Sequence, residues 1–446
     1  MNSRLRRVSA YFGIFLMAGA LIIGGVFLSA AGGSGEAGSS GAQGEAAGAT
    51  EPDQQGRAQG ATRAPSQEQA DMSRLLALTA RFGSVSAGAT ADIDLPSEYQ
   101  NQAPPPRAER EFSTDFSRAA VSFDDVISGG PPKDGIPAID EPSFEQVAEA
   151  DRWLEDQEPV IVVRAEGRAK IYPLRVLTWH EIVNDSIGEL PVAVTFCPLC
   201  NTGMAFDRRL GDEVLDFGVS GRLIYSNMIM YDRPTETWWM QATGTGITGK
   251  YTGSRLRLVP SSMLAWRDVK EAFPEAEVLS RSTGYARDYG RNPYQGYDRS
   301  AQPFLYRGPD RTGRDENPME RVLTIYHGDA ARAVPYTELF EHGVLNMELE
   351  GQDIVVFGKR GTASALDSGR IADGRDVGSA VAYYPQAGSQ ALSFERHAEG
   401  FRDKETGSSW DITGQAVSGP LAGSSLEQAL SVEHFLFSYR AFHGNE

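Results

Sequence analysis

The chain has 446 residues, 41% of them hydrophobic, with a formal net charge of -18 and a pI near 4.9. That length holds two ordinary domains or one large one with appendages, and the acidic balance excludes the basic footprint that a nucleic-acid partner requires. The only two cysteines are Cys197 and Cys200, which excludes a disulfide-stapled fold and points to local chemistry.

At the N-terminus, Arg4, Arg6 and Arg7 precede an uncharged apolar run at residues 10–31. About 22 residues, at roughly 1.5 Å each, just span the hydrocarbon of a bilayer. The basic flank stays cytoplasmic, which places the bulk of the chain outside. Residues 1–31 therefore read as a transmembrane signal anchor, tethering an extracytoplasmic protein to the cell membrane. Cleavage at the small residues Ser29-Ala30-Ala31 is the alternative and makes the protein secreted. Residues 32–112 are rich in Gly, Ala, Ser, Gln, Glu and Pro and read as a flexible, low-complexity linker. A short helix is expected near 67–82, and regular structure from about Ala119.

The rest of the chain carries one ordered series of features twice. In residues 113–300, Pro173 and Leu177 lead to Asn184, the apolar strand 192–196, the run 235–239 ending in Trp239, and then Gly244, Gly249, Gly253, Ser254 and Leu256. In residues 301–446, Pro335 and Leu339 lead to Asn346, the strand 354–357, Trp410, and then Gly414, Gly419, Gly423, Ser424 and Leu426. The glycine spacing is the same in both, which predicts an internal duplication. Apolar strands at 160–165, 192–196, 227–231 and 353–357 recur between turn residues. Helices are expected near 173–184 and 266–273. The fold class predicted is α+β, β-rich, with two related lobes.

Aligning the lobes on Phe196 and Phe357 sets Cys197 and Cys200 against Gly358 and Gly361. His180-Glu181 faces Glu341-His342 out of register. The first lobe thus holds the candidate chemistry. A helix–turn–strand unit can bring His180 to the two thiols, and a His/Cys/Cys set suits copper or zinc with one coordination position open. Asp185, Asp207, Asp232 and Met204 are candidates for a fourth ligand or a supporting group, and Asp232 joins the thiols and His180 as a candidate catalytic residue. A redox dithiol is the alternative, with His180 remote and the sulfurs in an exposed cleft; Asn201-Thr202-Gly203 reads as a turn, so the thioredoxin arrangement, in which a helix follows the pair, is not expected. A nucleophilic cysteine paired with His180 is a third possibility. Met228 and Met230 share a strand face, as core or as thioether ligands of Cu(I). The run 217–221 lacks the spacing of a nucleophile elbow.

The runs PLRVLTWHEIVND (173–185), VTFCPLCNTG (194–203), FGVSG (217–221), MYDRPTETWWMQ (230–241) and DYGRNPYQGY (288–297) resemble the domain-of-unknown-function family 3179. GTASALD (361–367), GRDVG (374–378) and DKETGSSW (403–410) extend the resemblance over about residues 119–440. It implies a prokaryotic, often exported protein and no activity; the chain departs from the pattern at 434–446, where it stops early. The expected function is extracytoplasmic metal binding, as a redox or metal-handling enzyme. The alternatives are a thiol–disulfide redox protein and a non-enzymatic cell-surface protein with a structural C-x-x-C clip. The small-molecule or protein partner is not readable.

Overall fold

The computed structural model describes residues 95–309, 313, 316–398 and 400–443. The expected anchor and most of the expected linker lie outside these residues. No helix among the described residues is long and apolar enough to cross a membrane.

The chain is β-rich with few helices, because its apolar runs are short, rich in β-branched residues and closed by turns. Helix α1 (Leu174–His180) starts after Pro173, whose φ of -64° suits a helix entry, and buries Leu174, Val176 and Leu177. It leads into the hairpin of β1 (Ile182–Ile187) and β2 (Leu190–Cys197), which continues into β3 (Thr202–Asp207). Every residue of β2 is buried, so this strand runs through the core and does not border solvent. The next antiparallel meander holds β4 (Phe217–Ile224), β5 (Asn227–Asp232) and β6 (Trp238–Met240). Helix α2 (Trp266–Ala272) follows, close to its expected place.

The same order recurs further on. Helix α3 (Tyr336–His342) leads into the hairpin of β7 (Val344–Leu349) and β8 (Gln352–Lys359), which pairs with β9 (Ser379–Tyr384). A meander of β10 (Phe394–His397), β11 (Gly400–Asp403) and β12 (Ser409–Trp410) then forms. Side chains tie the meanders down alike. Asn184 bonds the backbone of Phe217 through both amide atoms, and Asn346 does the same to Phe394. Asp232 accepts the Trp239 indole N–H at 2.9 Å, and Asp403 accepts that of Trp410 at 2.9 Å.

These pairings shift the alignment read from sequence by one residue. Ile182 pairs with Thr195 as Val344 pairs with Phe357. The Phe196 amide bonds the Glu181 carbonyl, and the Gly358 amide bonds the Gly343 carbonyl. Cys197 therefore corresponds to Lys359, not Gly358, and His180 to His342, both last in their helices. Matching phenylalanines misled because adjacent apolar strand residues face opposite sides of the sheet and look alike in composition.

Both halves share cores. Val432, Phe435 and Phe437 pack with Phe196, Cys197, Cys200 and Met204. Val355, Phe357 and Trp410 pack with Val160 and Trp266. The end of the expected linker also joins a core: Ala108 and Phe112 are buried, and the Phe112 ring meets Tyr231 and Trp238 edge-on at 5.3 and 5.1 Å. Composition hid this, since two or three apolar anchors suffice to seat an otherwise polar segment.

Candidate functional site

Cys197 ends β2, and Cys200 closes the turn into β3, where Asn201 takes a left-handed φ of 52°. No helix follows the pair. Both thiols are free and buried, Cys197 2% and Cys200 0% exposed. The sulfurs thus lie beneath the surface, not in an exposed cleft. The second half helps hold the turn, because the Phe435 amide donates to the Cys200 carbonyl at 3.0 Å.

The Cys200 sulfur accepts the Thr202 hydroxyl at 3.0 Å and the Asn227 amide N–H at 3.1 Å. The surrounding network fixes the orientation of that amide. Asn227 Oδ1 accepts the Ala242 N–H, and Asn227 Nδ2 also donates to Gln241 Oε1 at 2.8 Å. Gln241 Nε2 in turn donates to Thr195 Oγ1 and the Thr202 carbonyl. Each amide is locked, so an N–H must face the sulfur. Burial pushes the Cys200 thiol up, but hydrogen bonds from Cys197, Thr202 and Asn227 outweigh it and hold the thiol below its ordinary value. Burial drives Cys197 the other way, well above its ordinary value, reinforced by Cys200 and the Glu181 charge. The two thiols are thus driven apart, Cys200 toward the thiolate and Cys197 toward the thiol.

Glu181 was overlooked in the sequence beside His180. It ends α1 with φ 60° and ψ -29°, a left-handed conformation. Its carboxyl is buried and accepts the Tyr294 hydroxyl at 3.1 Å, and burial pushes it up to about 7. Tyr294 belongs to a strap at residues 292–304 that lies over the thiols. Tyr297 donates to the Leu199 carbonyl at 2.6 Å, and the Phe304 carbonyl accepts the Ser226 hydroxyl. The strap's other side is fastened to the second half, by Asn292 to Ser368 and Gly369 and by Arg299 to Asp367. The aromatic residues of the DYGRNPYQGY run were the available signal for it.

His180 is turned to other partners. Its Nδ1 lies 2.7 Å from the Pro137 carbonyl, which can only accept, so Nδ1 carries the proton. Its Nε2 accepts the Tyr289 hydroxyl at 2.7 Å. Both nitrogens are thus engaged, and burial holds the ring down to about 4, neutral at pH 7. Asp232 meets the Thr235 amide and hydroxyl and the Trp239 indole, and the second half repeats that turn at Asp403. Asp185 pairs with Lys170 and Tyr172, and Asp207 with Arg209 and Arg257. Met204, Met228 and Met230 sit in the core. Among the described residues, no group of three or more His, Cys, Asp and Glu side chains is placed to hold a metal ion. The structure brings Cys197 and Cys200 together and directs His180 and Asp232 elsewhere.

No curated protein and no solved structure matches the chain. A family model described as a protein of unknown function (DUF3179) matches residues 133–446, which takes in the thiols, Glu181, the strap and the whole second half. The chain belongs to this family.

Proposed function

We propose that the protein is an extracytoplasmic, membrane-tethered thiol–disulfide redox protein, in which Cys197 and Cys200 cycle between dithiol and disulfide. The observation that carries this reading is the Cys200 sulfur, which faces two donors, the Thr202 hydroxyl and the Asn227 amide, the latter locked by its other bonds. Thiolate is the reacting form, and such donors favour it. With a partner disulfide R–S–S–R′, the Cys200 thiolate attacks one sulfur, forms Cys200–S–S–R and releases R′–S⁻. Cys197, once deprotonated, attacks the Cys200 sulfur, closes the Cys197–Cys200 disulfide and releases R–S⁻. Two electrons pass from the dithiol to the partner disulfide, and the reverse sequence oxidises a partner dithiol. The strap is the cover that a partner must displace.

The two halves are read as copies of one unit, with the chemistry kept in the first. The matching Asn and Asp–Trp contacts support this, and Cys197 and Glu181 meet Lys359 and Gly343 at the corresponding positions. The apolar run at 10–31 supports the tether.

Alkylation of the reduced full-length protein at pH 7, read by mass spectrometry, tests the redox reading. Cys200 is modified first, Cys197→Ser leaves that reaction in place, and diamide links the two cysteines in the wild type. Equal, slow modification of both thiols with no Cys197–Cys200 bond would sink it. Stoichiometric copper or zinc, lost in either serine variant, would move the site to metal binding.

A further inference from the structure

We infer that Glu181 is the proton acceptor for Cys197 during disulfide closure, an inference that rests on the dithiol reading above. Three observations on the backbone and its neighbours carry it. The first is conformational. Glu181 sits at φ 60°, where the second half places Gly343 at φ 76°. Each closes its helix with the same bond, from Glu181 to the Leu177 carbonyl and from Gly343 to the Leu339 carbonyl, both 2.7 Å. Side chains other than glycine's are disfavoured there by contact between Cβ and the backbone. The first half therefore holds a carboxyl at a position whose backbone favours glycine, and does so only in the half with thiols.

The second observation is the surroundings of that carboxyl. It is 7% exposed, its one side-chain partner is the Tyr294 hydroxyl, and it makes no ion pair with the described residues. The other buried carboxylates considered above are differently placed: Asp185 and Asp207 face cations, and Asp232 and Asp403 accept a backbone N–H, a hydroxyl and an indole. The third is adjacency. The Glu181 carbonyl accepts the amide of Phe196, the residue before Cys197, at 2.8 Å, and the Glu181 charge is among those that act on the Cys197 thiol. The titratable groups around the site are Cys197 and Cys200 from the turn, Tyr294 and Tyr297 from the strap, His180 in the chain before it, and Glu433 from the strand whose Phe435 amide bonds the Cys200 carbonyl. Glu433 is a buried carboxyl that burial also raises to about 7 and that lies beside Asn201, Tyr336 and Arg321. Of these groups, Cys200 is the one whose hydrogen bonds favour its charged form over burial.

The proton balance is then complete. After Cys200 has captured R–S, the Glu181 carboxylate takes the Cys197 proton. The Cys197 thiolate attacks the Cys200 sulfur and expels R–S⁻. The Glu181 carboxylic acid returns the proton to R–S⁻, which leaves as R–SH. A buried carboxyl raised to about 7 is half ionised at neutral pH and serves both directions.

The test is disulfide closure in the full-length protein, with Cys200 first loaded as a mixed disulfide with 2-nitro-5-thiobenzoate and release of that chromophore followed by stopped flow from pH 5 to 9. In the wild type the closure rate rises through an inflection near 7. In Glu181→Gln the inflection disappears and closure at pH 7 slows about 100-fold, the scale of general base catalysis. Glu181→Asp restores part of the rate, and Glu181→Gly, matching Gly343, behaves as Gln does. Unchanged rate and profile in folded Glu181→Gln overturn the role of Glu181 while leaving the dithiol reading standing. Failure of the wild type to close at any pH overturns both.

Discussion

Glu181→Gln offers a stability measurement that needs no substrate. Burial raises the carboxyl from an ordinary 4.5 to about 7. At about 1.4 kcal/mol per pH unit, the ionised form destabilises the fold by about 3 kcal/mol relative to the protonated one. Because the folded state binds this proton more tightly than the unfolded chain does, the contribution is fully present below about 4.5 and is lost as pH rises through about 7. Glutamine keeps the oxygen that accepts from Tyr294 and never ionises. The variant is thus expected to match the wild type near pH 4 and to exceed it by about 3 kcal/mol near pH 8. Urea unfolding of both proteins at the two pH values gives the difference directly, since the other titrating groups cancel. A difference that changes by less than about 1 kcal/mol across that interval would refute the buried, cation-free setting assigned to Glu181.

Other perturbations separate chemistry from scaffolding. His180→Ala orphans the Pro137 carbonyl, leaves the Tyr289 hydroxyl with Thr283 as its remaining partner, and should cost about 2 kcal/mol at pH 7. That cost should shrink as pH falls from about 6.5 toward 4, because the buried neutral ring makes the wild type itself less stable there; retained stability at pH 7 would contradict its hydrogen-bonded placement. Asp232→Ala and Asp403→Ala break matching turns, and each should cost about 2–4 kcal/mol by urea unfolding, with thiol alkylation of the folded protein unchanged; a loss of thiol reactivity confined to Asp232→Ala would return that residue to the site. Tyr297→Phe removes the strap's bond to the Leu199 carbonyl and should speed Cys200 alkylation several-fold; an unchanged rate would mean that this bond does not hold the cover down.

What the sequence made legible follows physical lines. Two thiols three residues apart beside an apolar strand mark a site through composition alone, and proline-led helices and β-branched strands mark their own type. The thiols' partners were not legible, because they come from distant strands: Thr202 and Asn227 look like ordinary turn and strand residues until the fold brings them to one sulfur. Glu181 was passed over because its significance lies in a positive φ, which no side-chain pattern encodes. His180 drew attention as the sole histidine of its half, yet its nitrogens are claimed by Pro137 and Tyr289, the first a backbone carbonyl that leaves no trace in residue type. Asp232 and Asp403 make matching contacts to Trp239 and Trp410, so this contact also forms where no thiol is near in sequence. The strap was visible as a run of aromatic residues but not as a cover, since its anchor points lie in both halves.

The most direct test of the central claim is a redox equilibration of the full-length protein purified without added metal or chelator, with thiols counted by mass after trapping and metals counted by elemental analysis in the same samples. The account predicts a single reversible two-electron transition between the free Cys197–Cys200 dithiol and its disulfide, with no stoichiometric metal at either end. A dithiol that never closes across the range, or near-stoichiometric copper or zinc that vanishes in Cys200→Ser, would contradict it.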